Sequence, residues 1–416
     1  MNNYISRGKK YGIVFLVGII FMVLTMTIVY ALPQKRMKEN VKVDVNRLVK
    51  EKEWPEYISG YICTKKDNFT DSLMLNIATQ TKDEKDIAIK RAMRSSYHSY
   101  EPAVFQTRSL KKQLENKEGG YSYSYYRYWH GYQIVLKPLL MFFTYHQIIK
   151  INIVVMAAVF LFIIYMMQKR GIRIAIILSF MLSMILLAAP VIAMNIQYSI
   201  MFYITFFAIL SMLLFPQIDK GCLFLVAGMA TSFFDLLTTP VISLGFPLLF
   251  WGLLDRDMAG MKYIRNIISK SIIWVFGYGL TWASKWLIAS VVLKENVFVN
   301  AFTRISMRTS SKEASGSAIT YFDVLKKFSL IYGERIGKAI LIIVLVLLII
   351  GFVAGVVKKT KNVMPTLLIA AIPFAWYFVL KNHSYIHLWF AFRNLGIAYF
   401  AVFILFIKGI TNESKK

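Results

Sequence analysis

The stretch YGIVFLVGIIFMVLTMTIVYAL, Tyr11 to Leu32, decides the fold class, because it runs from end to end without a charged side chain. A helix rises about 1.5 Å per residue, so on the order of 20 apolar residues cross the hydrocarbon core of a bilayer. The stretch has that length and follows Arg7, Lys9 and Lys10. It is about twice as long as the apolar region of a secretion signal and has no small-x-small cleavage pattern near Leu32. We read it as a retained first membrane helix.

The same ruler divides the rest of the chain. A polar stretch from 33 to about 145 precedes a span at 148–167, which ends in Gln168-Lys169-Arg170-Gly171. Residues 173–215 are too long for one crossing, and Asn195, Gln197 and Tyr198 mark a turn inside them. Residues 221–254 as one helix would measure roughly 50 Å, so Thr238-Thr239-Pro240 is read as a turn between two short spans, with a broken helix as the alternative. Further spans fit 271–293, 338–357, 363–380 and 391–408. The expected fold class is an all-α polytopic membrane protein with about ten transmembrane helices and a large, partly helical first outer loop. Its divisions are 1–32, tail and first helix; 33–147, first outer loop with interfacial segments; 148–293, helices two to seven; 294–337, second outer loop; and 338–416, the last three helices and the tail.

Of the 416 residues 57% are hydrophobic and 17% charged, with a formal net charge of +27. A nucleic-acid partner would gather that charge on one polar domain, whereas here much of it punctuates apolar segments. We therefore expect no nucleic acid and read the charge as topological, with some left for anionic membrane lipids. Positively charged connections stay in the cytoplasm. Alternate ends carry Lys169, Arg170 and Arg173; Lys220; Arg256, Lys262, Arg265 and Lys270; Lys358, Lys359 and Lys361; and Lys408, Lys415 and Lys416, while the turns at 195–198 and 238–240 carry none. Both termini are thus expected in the cytoplasm of a multi-pass cell-membrane protein, with both long loops outside. Cys63 and Cys222 are too few for a disulfide framework or a Cys-based metal site. No inverted repeat of the transporter kind is visible.

Several polar residues fall on the outer side. The histidines His98, His130, His146, His383 and His387 all map there, either because hydrocarbon disfavours them or because they serve a site. His383 and His387, four apart in Asn382-His383-Ser384-Tyr385-Ile386-His387, could share a helix face as phosphate donors or as ligands of a divalent metal. No Glu follows His383, so no zinc-protease motif is present. Arg393 suits an anion, since a guanidinium matches phosphate oxygens. Asp235 either caps the Thr-Thr turn or meets substrate, and Lys285, flanked by Trp282 and Trp286, either snorkels or holds a lipid phosphate. Tyr121 to His130, with Trp129 and His130 at its end, is an aromatic cluster suited to a sugar platform or to an interfacial belt. Acids occur in Asp67-Asn68-Phe69-Thr70-Asp71-Ser72 and in Ser99-Tyr100-Glu101-Pro102. One well-placed carboxylate can deprotonate an acceptor hydroxyl, although most loop Asp residues only initiate turns. In the second loop, the polar run from Arg308 to Ser317 reads as a linker or lid, and Tyr321 to Phe328 as a surface helix.

Together these features resemble the polytopic GT-C glycosyltransferases, which take a sugar from a polyprenyl-phosphate donor on the outer membrane face. The resemblance lies in the first helix, the large first outer loop with an acid, the interfacial segments before the second span and the late second loop. It implies a lipid-phosphate sugar donor, a glycan or other cell-envelope acceptor, a first-loop acid as base, best matched by Asp71 or its neighbour Asp67, and basic groups such as Lys285 and Arg393 on the donor phosphate. A transporter or flippase for a lipid-linked sugar, and a non-catalytic envelope assembly subunit, are the rival expectations.

Overall fold

A computed structural model describes residues 2–81, 85–100, 105–255, 257–312, 317–360 and 362–410. Glu101 and Pro102, Arg256, the linker positions 313–316, Lys361, Lys415 and Lys416, named above, lie outside the described residues. The chain is 76% helical. It begins with α1 (Asn2–Ala31) and continues through the first long loop as α2 (Lys35–Glu51), α3 (Asn68–Thr79), α4 (Ala88–Arg94), α5 (Gln106–Leu114) and α6 (Gln133–Leu140). The sheet of this region is the antiparallel pair β1 (Tyr97–Ser99) and β2 (Tyr121–Tyr123). There follow α7 (Tyr145–Lys169), α8 (Ile174–Leu186), α9 (Ala189–Ala193), α10 (Ile196–Leu214), α11 (Lys220–Phe234), α12 (Ile242–Leu254) and α13 (Gly260–Leu293). The second loop holds α14 (Val297–Thr309) and α15 (Tyr321–Ser329), and the chain closes with α16 (Glu334–Val357), α17 (Val363–Ala370), α18 (Ile372–Val379), α19 (Lys381–Ile386), α20 (Leu388–Ala391) and α21 (Gly396–Ile410).

Among the described residues five helices are long and apolar enough to cross a membrane: Ser6–Ala31, Tyr145–Lys169, Ile196–Leu214, Glu334–Val357 and Leu388–Gly409. The most apolar stretch of the Glu334–Val357 helix is only 11% buried within the protein, and that of Ser6–Ala31 17%. Apolar surface on that scale calls for lipid around it. Four shorter apolar helices, Ile174–Leu186, Lys220–Phe234, Ile242–Leu254 and Val363–Val379, accompany them. Prolines punctuate this part of the chain: Pro190 opens α9, Pro240 lies in the α11–α12 turn and Pro373 opens α18, and a proline removes one backbone donor and disfavours helix in the residue before it. Thr231 near the end of α11 and Ser243 at the start of α12 share a 2.7 Å hydrogen bond, so Thr238-Thr239-Pro240 folds the chain back into a hairpin.

The first loop is a small helical domain with its own core. Met37, Val41, Val45 and Leu48 recur at helical spacing along α2 and are buried against Met74 and Leu75 of α3, Leu110 and Leu114 of α5 and Leu136 and Leu140 of α6, each such side chain contributing about 1.5–3 kcal/mol. Lys137 of α6 is fully buried beneath α3. Thr144 starts α7 with a capping box, its side chain accepting from the Gln147 amide while the Gln147 side chain accepts from the Thr144 amide. The second loop gives α15 at the expected place, with Val324 and Phe328 buried and Phe322 exposed.

The two ends of the bundle differ in chemistry. The turns at 195–198 and 235–239 meet the loop domain and the segment around 383–393 at one end. Arg170, Arg173, Lys220 and Lys408 gather at the other. We call these the loop end and the basic end.

Candidate functional site

Most of the buried charges turn out to hold helix ends. Asp71, 0% exposed, accepts on one oxygen from the Gln197 amide at 3.0 Å and on the other from the Ile196 amide, the Asn195 side chain and the Tyr145 hydroxyl at 3.0, 3.1 and 2.6 Å. It closes the positive end of α10 from another part of the chain, as an N-cap carboxylate does locally. Lys285 performs the opposite service. Its ammonium neither snorkels nor faces lipid, but donates to the Ala92 and Met93 carbonyls at 3.3 and 2.9 Å, at the negative end of α4. Lys137 does the same for α3, donating to the Ala78 carbonyl at 2.7 Å.

Other residues singled out from sequence are equally engaged. Asp235 accepts from the amide and the hydroxyl of Thr238, the turn-capping alternative. Trp129 is completely buried and donates from Nε1 to the Thr281 carbonyl at 2.7 Å, so it anchors the loop to α13 and offers no sugar platform. His130, held at φ +57°, uses one ring nitrogen on the Tyr132 hydroxyl and the other on the Tyr125 carbonyl. Burial pushes its pKa down to about 3, so it stays neutral. His383 accepts on Nδ1 from Arg308 at 2.8 Å and therefore donates from Nε2 to the Leu237 carbonyl at 2.7 Å. With both nitrogens occupied it cannot serve beside His387 as a metal or phosphate ligand, although the two rings lie 4.8 Å apart. Among the described residues no three His, Cys, Asp or Glu side chains converge as a metal site.

One region at the loop end differs. Trp54, Lys65, Asp67 and Phe69 of the first loop meet Tyr198 at the start of α10 and His387, Trp389 and Arg393 near the end of the chain. The Trp54 ring lies 5.3 Å from Phe69 and 5.8 Å from Trp389, and the Lys65 ammonium sits 5.8 Å from the Trp389 ring. Arg393, fully buried, stacks its guanidinium 4.1 Å over Tyr198 and donates to the Trp389 and Cys63 carbonyls at 2.8 and 3.3 Å. Tyr198 in turn donates to the Lys65 carbonyl at 3.1 Å. Here polar atoms stay unsatisfied: Trp389 Nε1, His387 Nδ1, Ser384 Oγ and both amide atoms of Asn394 are buried without a hydrogen-bond partner among the described residues. Each such atom costs about 1–3 kcal/mol, and a cluster of them in a folded protein calls for a ligand.

No family model, curated protein or solved structure matches the chain. Its chemistry therefore has to be read from the cluster itself.

Asp67 caps its own helix, accepting from the Thr70 amide at 3.0 Å and the Thr70 hydroxyl at 2.8 Å. Those bonds leave part of the carboxylate's acceptor capacity unused. Burial pushes its pKa up to about 7, with the nearby Asp71 carboxylate adding to the rise and the Thr70 bonds opposing it. A carboxyl poised there can take up a proton at neutral pH. Burial drops His387 to about 3, with Arg308 adding to the effect, so its unpaired nitrogen is a neutral ring atom able to meet a hydroxyl.

Two apolar cavities lie near the cluster. A groove of about 580 Å³ runs along α10 from Ile196 to Ser211, between α7 and α11, starting at the level of Asp71. A smaller one, about 370 Å³, lies between Tyr57, Ile185 and Tyr332 and includes Cys63, whose carbonyl Arg393 reaches. Trp54, Lys65 and Asn394 were not anticipated as site residues. They belong to no local motif, and the contact from Arg393 to Cys63 spans 330 positions.

Proposed function

We propose that the chain is a membrane glycosyltransferase of the GT-C kind, moving a sugar from a polyprenyl-phosphate donor to a cell-envelope acceptor. In this reading the five long helices, the four shorter apolar ones and α13 make ten crossings, both termini lie in the cytoplasm, and the loop end faces outward. The observation that carries the reading is the cluster around Asp67. It combines a carboxyl pushed up to about 7 by burial, two indole rings and two cations in one partly unsatisfied cluster. Asp67 takes the proton of the acceptor hydroxyl as that oxygen attacks the anomeric carbon. The bond from that carbon to the phosphate oxygen breaks, and the phosphate leaves with the electron pair, its charge met by Arg393 and Lys65. Trp54 and Trp389 present faces to the sugar, and the nearby apolar cavities suit the isoprenoid chain.

Asp67 replaces Asp71 as the base in this scheme, because Asp71 accepts four hydrogen bonds, two of them from α10 amides, whereas Asp67 accepts two, both from Thr70. The test is transfer of labelled sugar from a panel of polyprenyl-phosphate sugars by the purified protein. Wild type should form product, and Asp67→Asn should lose about a hundredfold or more while inserting normally. Undiminished transfer by Asp67→Asn would remove it as base. No product from folded wild type with any donor and crude envelope acceptors would move the reading to transport or assembly.

A further inference from the structure

Six consecutive residues, Tyr121-Ser122-Tyr123-Ser124-Tyr125-Tyr126, each carry a hydroxyl, and the chemistry proposed above uses none of them. The fold sorts them by face. Side chains alternate along an extended chain, and β2 pairs with β1 so that Tyr123 lies opposite Tyr97 and Ser122 opposite His98. Ser122 turns to one side, where its hydroxyl and His98 Nδ1 share a 3.0 Å hydrogen bond. The tyrosines take the other. Tyr97 stacks on Tyr123 with ring centroids 5.4 Å apart and meets Tyr125 edge-on at 5.8 Å, and Tyr121 continues the row, 74% exposed. The hydroxyls of Tyr97, Tyr121, Tyr123 and Tyr125 make no hydrogen bond among the described residues. A belt that anchors a protein among lipid headgroups mixes its rings with aliphatic side chains, whereas this strip presents ring faces and open hydroxyls alone.

Two cations complete the face. Arg127 sits over Tyr125, its guanidinium carbon 4.3 Å from that ring centroid and 5.4 Å from that of Tyr128. Arg304, exposed on α14, acts on the same row. Burial pushes the Tyr97 hydroxyl up to about 12, Tyr125 adds to the rise, and Arg127 and Arg304 oppose it. Neither arginine forms an ion pair among the described residues, and no acid occurs from Asn296 to Lys312. Their neighbours are already engaged: Arg94, whose carbonyl holds the Tyr125 amide, pairs with Asp86, Arg308 is bonded to His383, and Asp235 to Thr238. Tyrosine rings stack on apolar sugar faces while their hydroxyls bond to sugar hydroxyls, and guanidinium groups match carboxylate and phosphate oxygens.

We infer that this face binds an anionic glycan, a chain of sugar or polyol units carrying carboxylate or phosphate groups. Binding requires no transfer chemistry, so the inference does not depend on the glycosyltransferase reading.

The experiment titrates the full-length protein in detergent with end-labelled probes, followed by fluorescence anisotropy. Hyaluronan oligosaccharide offers carboxylates, oligo(glycerol phosphate) offers phosphates, and dextran oligosaccharide is the neutral comparison. One or both anionic probes should bind about tenfold more tightly than dextran. Tyr121→Ala and Arg304→Gln change exposed side chains and spare the fold. Each should weaken that binding about fivefold, and Arg127→Gln about tenfold, while Arg304→Lys, which keeps the charge, should retain most of it. Unlabelled oligothymidylate and short-chain phosphatidylglycerol serve as competitors. Displacement of the glycan by either at a concentration equal to its own makes nucleic acid or a lipid headgroup the occupant and overturns the inference. Equal binding of dextran, binding of neither anionic probe, or binding that survives both exposed-site variants overturns it as well.

Discussion

Two sets of buried polar groups lie close together at the loop end, and they are built on opposite rules. Around Asp71, Lys285 and Lys137 every charge meets helix-end amides or carbonyls of the sign it needs. Around Trp389, His387 and Asn394 buried polar atoms have no hydrogen-bond partner among the described residues. The first arrangement stabilises the fold, since it satisfies groups that a helix terminus leaves bare. The second costs stability, and sites are where proteins tolerate that cost. A buried charge is therefore a poor guide to function until its partners are counted.

Mutations on the two sides should move stability in opposite directions. The largest effect is expected at Asp71→Ala, which strands the Ile196 and Gln197 amides, the Asn195 side chain and the Tyr145 hydroxyl. We expect a loss of about 3–5 kcal/mol, read as a lowered melting temperature in detergent, with the specific activity of the surviving folded fraction unchanged. A drop in specific activity without a drop in stability would erase the distinction. Asn394→Leu should do the reverse, raising stability by about 1 kcal/mol while cutting transfer about tenfold. Destabilisation there would mean that the amide has a structural role after all.

The smallest effect is a slope with pH. The folded-state pKa of Asp67, about 7, lies above its ordinary 3.8, so the folded protein holds this proton more tightly than the unfolded chain. Its contribution is complete below about pH 4 and declines as pH rises to about 7. Glu51 runs the other way. Burial would raise its pKa, but hydrogen bonds from Lys66 and Arg47 prevail and hold it at about 2, so its contribution is present above about pH 4.5 and fades as pH falls towards 2. Thermal melts of wild type and Asp67→Asn between pH 2 and 8 separate the two. The variant should lose the decline above pH 4 and keep the acid-side loss, and an unchanged slope would place the titration elsewhere.

Much of the architecture was legible because it is written locally. The run ending at Leu32, the break at Asn195, the hairpin at Thr238 to Pro240 and the helix from Tyr321 all follow from apolar length, proline and capping residues a few positions apart. The α13 helix starts earlier than its apolar part suggested, at Gly260, because Lys262, Arg265 and Lys270 continue it beyond the apolar stretch. The roles of the charges were not legible. Lys285 finds its carbonyls 192 positions away and Asp71 its amides about as far as α10, and no spacing in one sequence encodes such pairs. Asp67 was visible as a loop acid, yet nothing local set it apart from Asp71. Only the partner count does that.

The tie between Arg393 and the Cys63 carbonyl spans 330 positions, and this has a consequence for biogenesis. At about 5–20 residues per second, the ribosome needs on the order of 15–65 s to reach Arg393 after Cys63 has been synthesised. Throughout that interval the loop domain, with its own core already available, must stay beside a bundle whose closing helix does not yet exist. The nascent chain is thus exposed to proteases and misdocking until Arg393 has been made, and only then can the candidate site be completed.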